Sequence, residues 1–305
     1  MDIAILHQYP DFRRTVFYEL LRQESRTPIR EVSPEKADLV IYGPFARYPK
    51  IIGRFVKRKA SFGPLYFKRR SLQPISIFHT IENVRHEQKF DYSISYDYSI
   101  EKCDYRFPYW MESIDWSHEG VSRPAPLRVS RYFEIAELQK PLGKFLQGRN
   151  GNCAGFFGQV SDPRKSLMES VAQILKLDTY GPAFDRSIKN SQSSGIFKDS
   201  VLQDYSYNLC PENALYPGYY TEKVLESFAS GCLPITWAEQ NICHDFNPNA
   251  FLNLLDYAPK GYNGWCTLIN DSESREQFES SELLNSTPSI EPLREFTKDI
   301  IKAAL

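Results

Sequence analysis

The stretch Tyr207–Tyr257, YNLCPENALYPGYYTEKVLESFASGCLPITWAEQNICHDFNPNAFLNLLDY, decides how this chain of 305 residues is read. Ser206 to Cys210 reads as a short buried strand, halted by Pro211-Glu212-Asn213. A loop with Pro217 and Gly218 follows, and Thr221 is placed to cap a helix over Thr221–Ser230 whose first turn holds Glu222 and Lys223. Gly231 falls where helices end in left-handed backbone, Pro234 lies just beyond, and Leu233 to Trp237 reads as the next strand. This is a βαβ unit. In an open α/β sheet, ligands sit at the carboxyl ends of the strands, where a helix N-terminus offers N–H groups and positive potential to an anion. A lysine in a first helical turn opposes the helix dipole, so Lys223 needs a reason. A bound phosphate supplies one; the bland alternative is a solvated surface lysine. On the anion reading, removing Lys223 is expected to weaken binding and spare folding.

The same alternation extends outward. Asp2–His7, Asp38–Tyr42, Ile75–Phe78 and Tyr92–Tyr96 are strand-like runs, and Val16, Phe17, Leu20 and Leu21 fall at helical spacing. Strand periodicity fades over His118–Asn150, which Pro124, Pro126 and Pro141 punctuate. It returns at Ala154–Phe157, followed by a helix with Leu167, Val171, Ile174 and Leu175 on one face. Ser187–Gly195 is polar and reads as a surface loop. Leu293, Phe296, Ile300 and Ala304 share one face of a last helix. The expectation is an α/β chain of two Rossmann-like lobes facing a cleft, residues 1–145 and 146–290, with 291–305 a C-terminal helix packing across the body.

With 37 basic against 38 acidic residues, the chain lacks the charge of a nucleic-acid binder, so any anion site is local. Its six cysteines form no Cys-x-x-Cys pair, which fits reduced thiols in a cytoplasmic protein rather than zinc or a disulfide scaffold. The N-terminus lacks a basic flank and a long apolar run, and no stretch is long enough to span a bilayer. Neither a Gly-x-Gly-x-x-Gly nor a Gly-Lys-Ser/Thr phosphate loop occurs. Arg54, Lys57, Arg58, Lys59, Lys68, Arg69 and Arg70 form an acid-free basic stretch with interleaved aromatics, suited to peripheral membrane contact or to a plain solvated face. His7 and His79, at strand ends, are read as structural.

An ordered series of motifs then carries a resemblance. Asn208-Leu209-Cys210-Pro211-Glu212-Asn213, Gly218-Tyr219-Tyr220-Thr221-Glu222-Lys223, Pro234-Ile235-Thr236-Trp237 and Asp245-Phe246-Asn247-Pro248 with Phe251 resemble the donor-binding core of the α-1,3/4-fucosyltransferases, glycosyltransferase family 10. Glu82-Asn83, Phe90-Asp91-Tyr92 with Ile94 and Asp97, Arg106 with Pro108-Tyr109, and Ser161-Asp162-Pro163-Arg164 resemble further family segments. The resemblance implies a GT-B fold, GDP-fucose as donor, a GlcNAc-containing glycan as acceptor and inversion at the anomeric carbon. It implies that Asn213, Tyr219, Glu222 and Lys223 hold the donor, that Arg164 contacts phosphate and that Glu82 is the general base. No cofactor is expected and a divalent metal is at most stimulatory: no Asp-x-Asp triplet occurs, and Lys223 and Arg164 stand in for a metal. Pro211, Tyr216-Pro217 and Ala238 depart from the family pattern. Ala238 stands where a glycine is usual, which with the divergent first lobe opens one rival, another GDP-sugar or acceptor on the same fold; a rival of a different class is a non-catalytic glycan- or nucleotide-binding module. Against Glu82 as base stands a role as cap of a helix near Asn83 or partner of Arg85.

Overall fold

The computed structural model describes residues 1–45, 74–84, 89–98, 101–124, 129, 131–184, 196–260 and 269–305. The basic stretch Arg54 to Arg70, Arg85, Ser187–Gly195 and Cys266 lie outside them. The chain divides into two compact units, one of Met1–Phe107, Glu119–Arg123 and Ile290–Leu305, the other of Pro108–His118 and Pro124–Ser289.

In the first unit β1 (Asp2–Leu6) leads into helix α1 (Val16–Glu24), then β2 (Arg30–Glu31), β3 (Leu39–Tyr42), β4 (Ile75–His79), β5 (Tyr92–Ser95) and β6 (Asp104–Arg106). Thr15 caps α1, its hydroxyl accepting the Tyr18 N–H at 3.3 Å. Val16, Phe17, Leu20 and Leu21 then bury one stripe of the helix, each worth about 1.5–3 kcal/mol as it leaves water. The described strands pair in parallel in the order β2-β1-β3-β4-β5-β6.

The second unit runs through β7 (Asn150–Phe156), α2 (Arg164–Ala172), β8 (Leu177–Tyr180), α3 (Ile196–Leu202), β9 (Tyr205–Leu209), α4 (Lys223–Ala229), β10 (Leu233–Thr236), β11 (Leu252–Asn253) and α5 (Ser272–Ser280). Its sheet is also parallel, in the order β11-β10-β9-β7-β8. Counted from the first strand of each unit, the six-stranded sheet follows 2-1-3-4-5-6 and the five-stranded sheet 2-1-3-4-5, so each reverses direction between its first and third strands. That reversal opens a crevice beside β7 and β9. One face of the second sheet packs Cys153, Phe157, Tyr207, Leu209, Leu233 and Ile235 against Leu167 and Val171 of α2. The other packs Ala154, Tyr205 and Cys232 against Leu202 of α3.

The C-terminal helix α6 (Glu291–Ala304) rejoins the first unit, burying Leu293, Thr297, Ile300 and Ile301 and packing on α1. Arg294 pins it, donating to Glu24 and to the Glu119 carbonyl, each at 2.7 Å. Phe296 sits half-buried at the rim of this face, against the rings of Tyr92 and Tyr105. The short strands β2, β6, β8 and β11 carry no period a sequence reading can use, because they are only two to four residues long.

Candidate donor site and its relatives

Two strand ends build the site. From Phe156 the chain turns through Phe157-Gly158-Gln159 into α2, whose first residue, Arg164, folds its guanidinium back over the turn. Arg164 Nη1 donates to the Gln159 carbonyl at 3.3 Å, and Nη2 donates to Asn213 Oδ1. Gly181, after β8, lets this turn close: its φ is +115°, and a Cβ there would lie 2.3 Å from the Phe157 carbonyl oxygen.

From β9 the chain continues beside β10, with the Cys210 N–H on Ile235 at 2.8 Å and the Glu212 N–H on Trp237 at 3.1 Å. This carries Glu212 inward to 1% exposure. A buried carboxylate needs donors, and it collects them from the residues just ahead of α4. The Thr221 N–H reaches Oε1 at 2.8 Å, the Thr221 hydroxyl lies 3.0 Å from either oxygen, and Lys223 Nζ reaches Oε2 at 2.6 Å. The expectation that Thr221 caps the helix is therefore corrected. Its hydroxyl is taken by Glu212, Glu222 occupies the capping position without a side-chain bond, and α4 starts at Lys223. Nor is Lys223 a solvated surface lysine, since only 20% of its side chain is exposed.

Arg164, Asn213, Glu222 and Lys223 line a single cavity of about 620 Å³ between the β7 and β9 strand ends, a volume within the usual range for small-molecule sites. Lys223 Nζ also lies 3.5 Å from Asn213 Oδ1, so two cations converge on one amide oxygen. Tyr219 does not line the cavity. It is buried at 2% exposure, and its hydroxyl accepts from Asn213 Nδ2 at 3.5 Å. Deeper in, Lys198 of α3 pairs with Glu226 of α4. Burial works against the Lys198 charge, but Glu226 and then Glu222 outweigh it and hold the pKa above its ordinary value. Burial pushes the Glu226 carboxyl up and Glu222 adds to this, against the pull of Lys198. Glu226 thus pairs with the ammonium, and the Glu222 charge adds to its hold. The Cys210 thiol is pushed up to about 12, chiefly by burial, and stays protonated. Ala238 is buried, lines no part of the cavity and has an ordinary negative φ, its N–H and carbonyl both held by the Asn253 amide at 3.2 and 2.8 Å.

Glu82 belongs to the first unit and follows β4 at its carboxyl end, half-buried. Among the described residues the chain bends at Asn83 and no helix begins there; Arg85 and the residues up to 88 lie outside the described residues. The Tyr9 hydroxyl fixes this bend, accepting the N–H groups of Ile81 at 2.9 Å and Glu82 at 3.0 Å. Burial raises the Tyr9 phenol to about 12, so it stays neutral. His79 is wholly buried between the rings of Phe12 and Phe17, and burial lowers its pKa to about 3, in keeping with a structural role.

Sequence reasoning passed over Glu212, Lys198 and Asn208. The signal for Glu212 was a carboxylate at the end of an apolar strand, and for Asn208 an amide within that strand. Lys198 had none, because α3 follows an aperiodic stretch.

Comparisons with known proteins agree with this geometry. Residues 156–273, which hold the whole cavity, match the family described as Glycosyltransferase family 10 (fucosyltransferase) C-term. The chain is 26% identical over 278 residues to the Alpha-(1,3)-fucosyltransferase FucT of Helicobacter pylori, a match that covers 84% of this chain and 54% of that relative. It therefore spans about half the length of that curated relative. Crystal structures of an alpha1,3-fucosyltransferase, with GDP-fucose and with GDP, superpose with TM-scores of 0.67 and 0.65 at 20% identity, covering 99% of this chain and 90% of theirs. They establish the fold, two Rossmann-like parallel sheets of the GT-B type. The chain thus resembles the glycosyltransferase family 10 fucosyltransferases, in fold along almost its whole length and in sequence most specifically where its cavity lies.

Proposed function

We propose that this chain is an inverting glycosyltransferase that moves L-fucose from GDP-fucose to a hydroxyl of a GlcNAc-containing glycan. The observation that carries the reading is the convergence of Arg164 and Lys223 on Asn213, with Glu222 in the same cavity, inside the segment that matches the family. The acceptor oxygen bonds to the anomeric carbon as the bond to the diphosphate breaks, so positive charge builds on the ring and negative charge on the leaving group. Arg164 and Lys223 stabilise the departing GDP, and Glu222 faces the ring. Tyr219 orients Asn213 from behind. Glu82 accepts the acceptor's hydroxyl proton. The fixed cations supply the leaving-group charge themselves, so transfer requires no added cofactor and persists in a chelator. The protein works in the cytoplasm, with the basic stretch Arg54 to Arg70 meeting an anionic membrane surface. Calorimetry with GDP-fucose, other GDP-sugars, and UDP- and CMP-sugars, followed by mass and linkage analysis of products on a glycan panel, tests the reading. GDP-fucose is expected to bind tightest and to be transferred. Tighter binding of a UDP-sugar would remove the fucosyl assignment, and binding without transfer to any acceptor would leave a binding module.

A further inference from the structure

The cavity has an inner wall that the two cations near Asn213 do not use. Asn208 lines it at 1% exposure, and neither its Oδ1 nor its Nδ2 finds a hydrogen-bond partner among the described residues. The alternation of β9 puts it there: Tyr207 and Leu209 point into the core with Leu233 and Ile235, so Asn208 points to the opposite face. A buried side-chain amide with both ends bare is rare in folded proteins and calls for an occupant. Lys198 lines the same wall, its ammonium fixed by Glu226 and 5.7 Å from the centre of the Phe156 ring. Glu222 lines the same cavity and is among the charges that hold the Lys198 ammonium in its charged form. Behind the wall, Glu226 Oε1 is buried without a hydrogen-bond partner among the described residues.

The chemistry of the occupant follows from what is bare. A diphosphate only accepts hydrogen bonds at neutral pH and would leave Asn208 Oδ1 unmet. A hydroxyl both donates and accepts, and neighbouring hydroxyls satisfy both ends of one amide. We propose that Asn208 and Lys198 form a sugar-reading wall, in which hydroxyls of the donor hexose donate to Asn208 Oδ1 and accept from Asn208 Nδ2 and Lys198 Nζ. This rests on the donor reading above, which puts Glu222 at the sugar ring. The wall selects among GDP-sugars by hydroxyl configuration, while Arg164 and Lys223 hold the part they share.

The test compares the parent with Asn208→Leu, a substitution of similar volume, in calorimetry with GDP-fucose and with GDP, and in thermal unfolding without ligand. GDP-fucose affinity is expected to fall about tenfold, the loss of a pair of neutral hydrogen bonds, and GDP affinity to stay within about twofold. The unliganded melting point is expected to hold or rise, because an apolar group replaces a polar one that had no partner. Asn208→Ser, too short to reach the sugar, gives the same ligand split if the leucine variant does not fold. Equal losses for GDP and GDP-fucose would assign Asn208 to the base and overturn the proposal. So would parent-like GDP-fucose affinity, or a lowered melting point with both affinities unchanged. A parent protein that binds no GDP-fucose overturns the donor assignment as well, whereas a binding parent with an indifferent Asn208→Leu sinks this inference alone.

Discussion

At the scale of the residue, Glu212 reorders what Lys223 means. The ammonium is already held at 2.6 Å by a carboxylate of 1% exposure, so the lysine answers to the protein before it answers to a phosphate. Removing Lys223 leaves that carboxylate buried with Thr221 alone, and the expectation that folding is spared gives way. Lys223→Ala should lose ~2–3 kcal/mol of stability, somewhat below the ~3–5 kcal/mol of a fully buried broken pair because Lys223 keeps some contact with water. Lys223→Met combined with Glu212→Gln should recover most of that stability while donor affinity stays low. Urea unfolding and calorimetry on both variants separate the two roles, and a stable Lys223→Ala would show that Glu212 is content without its partner. Glu82 is held differently, by its backbone, through the hydroxyls of Tyr9 and Thr80 at 3.0 and 3.2 Å. Glu82→Gln should therefore fold and bind GDP-fucose as the parent does, with transfer reduced about 10²- to 10⁴-fold as expected for a lost general base. Transfer at the parent rate would free Glu82 of that role; lost donor binding would make it structural.

The element that decides the cavity's shape is the turn between β7 and α2. It closes against Gly181, whose positive φ and missing Cβ are both required. Gly181→Ala should cost about 2 kcal/mol or more, from backbone strain plus the clash with the Phe157 carbonyl. Donor affinity should fall with it, since Phe157 is one wall of the cavity. Gly148→Ala is the control: its φ is +74° but nothing lies within 4 Å of the added Cβ, so it should cost only about 1 kcal/mol and leave the donor untouched. Equal effects of the two on GDP affinity would show that the turn does not shape the site. The strands β1, β3, β4, β5, β9 and β10 were legible from sequence within a residue or two, because each is rich in apolar or aromatic residues and sits inside its sheet. The first turn of α4 was not, because a threonine ahead of an apolar run looks the same whether it caps its own helix or serves a carboxylate nine residues upstream.

Across the whole molecule, stability should depend on pH through His79. Its folded pKa, about 3, lies below the ordinary 6.5, so the unfolded chain binds a proton that the folded one refuses. The contribution is complete above pH 6.5 and is lost as pH falls from 6.5 toward 3, at about 1.4 kcal/mol per pH unit. Between pH 7.5 and pH 5 the parent should thus lose about 2 kcal/mol through this group. His79→Phe, which keeps a ring between Phe12 and Phe17, should lose about that much less in urea unfolding at the two pH values. Identical losses would mean His79 is solvated in the folded state. By itself the sequence determined the longer apolar strands and helices, an α/β chain of two units, and the clustering of Asn213, Glu222 and Lys223 in one short segment. Those follow from periodicity, which reports which face of a segment is apolar, and from residues that are neighbours along the chain. Only the tertiary structure decided that the sheets run 2-1-3-4-5-6 and 2-1-3-4-5, that Arg164 meets Asn213 across 49 residues and Lys198 meets Glu226 across 28, and that Asn208 is buried with both ends bare among the described residues. The reason is physical: a polar group's partner, or its lack of one, is set by whichever distant segment the sheet order lays beside it.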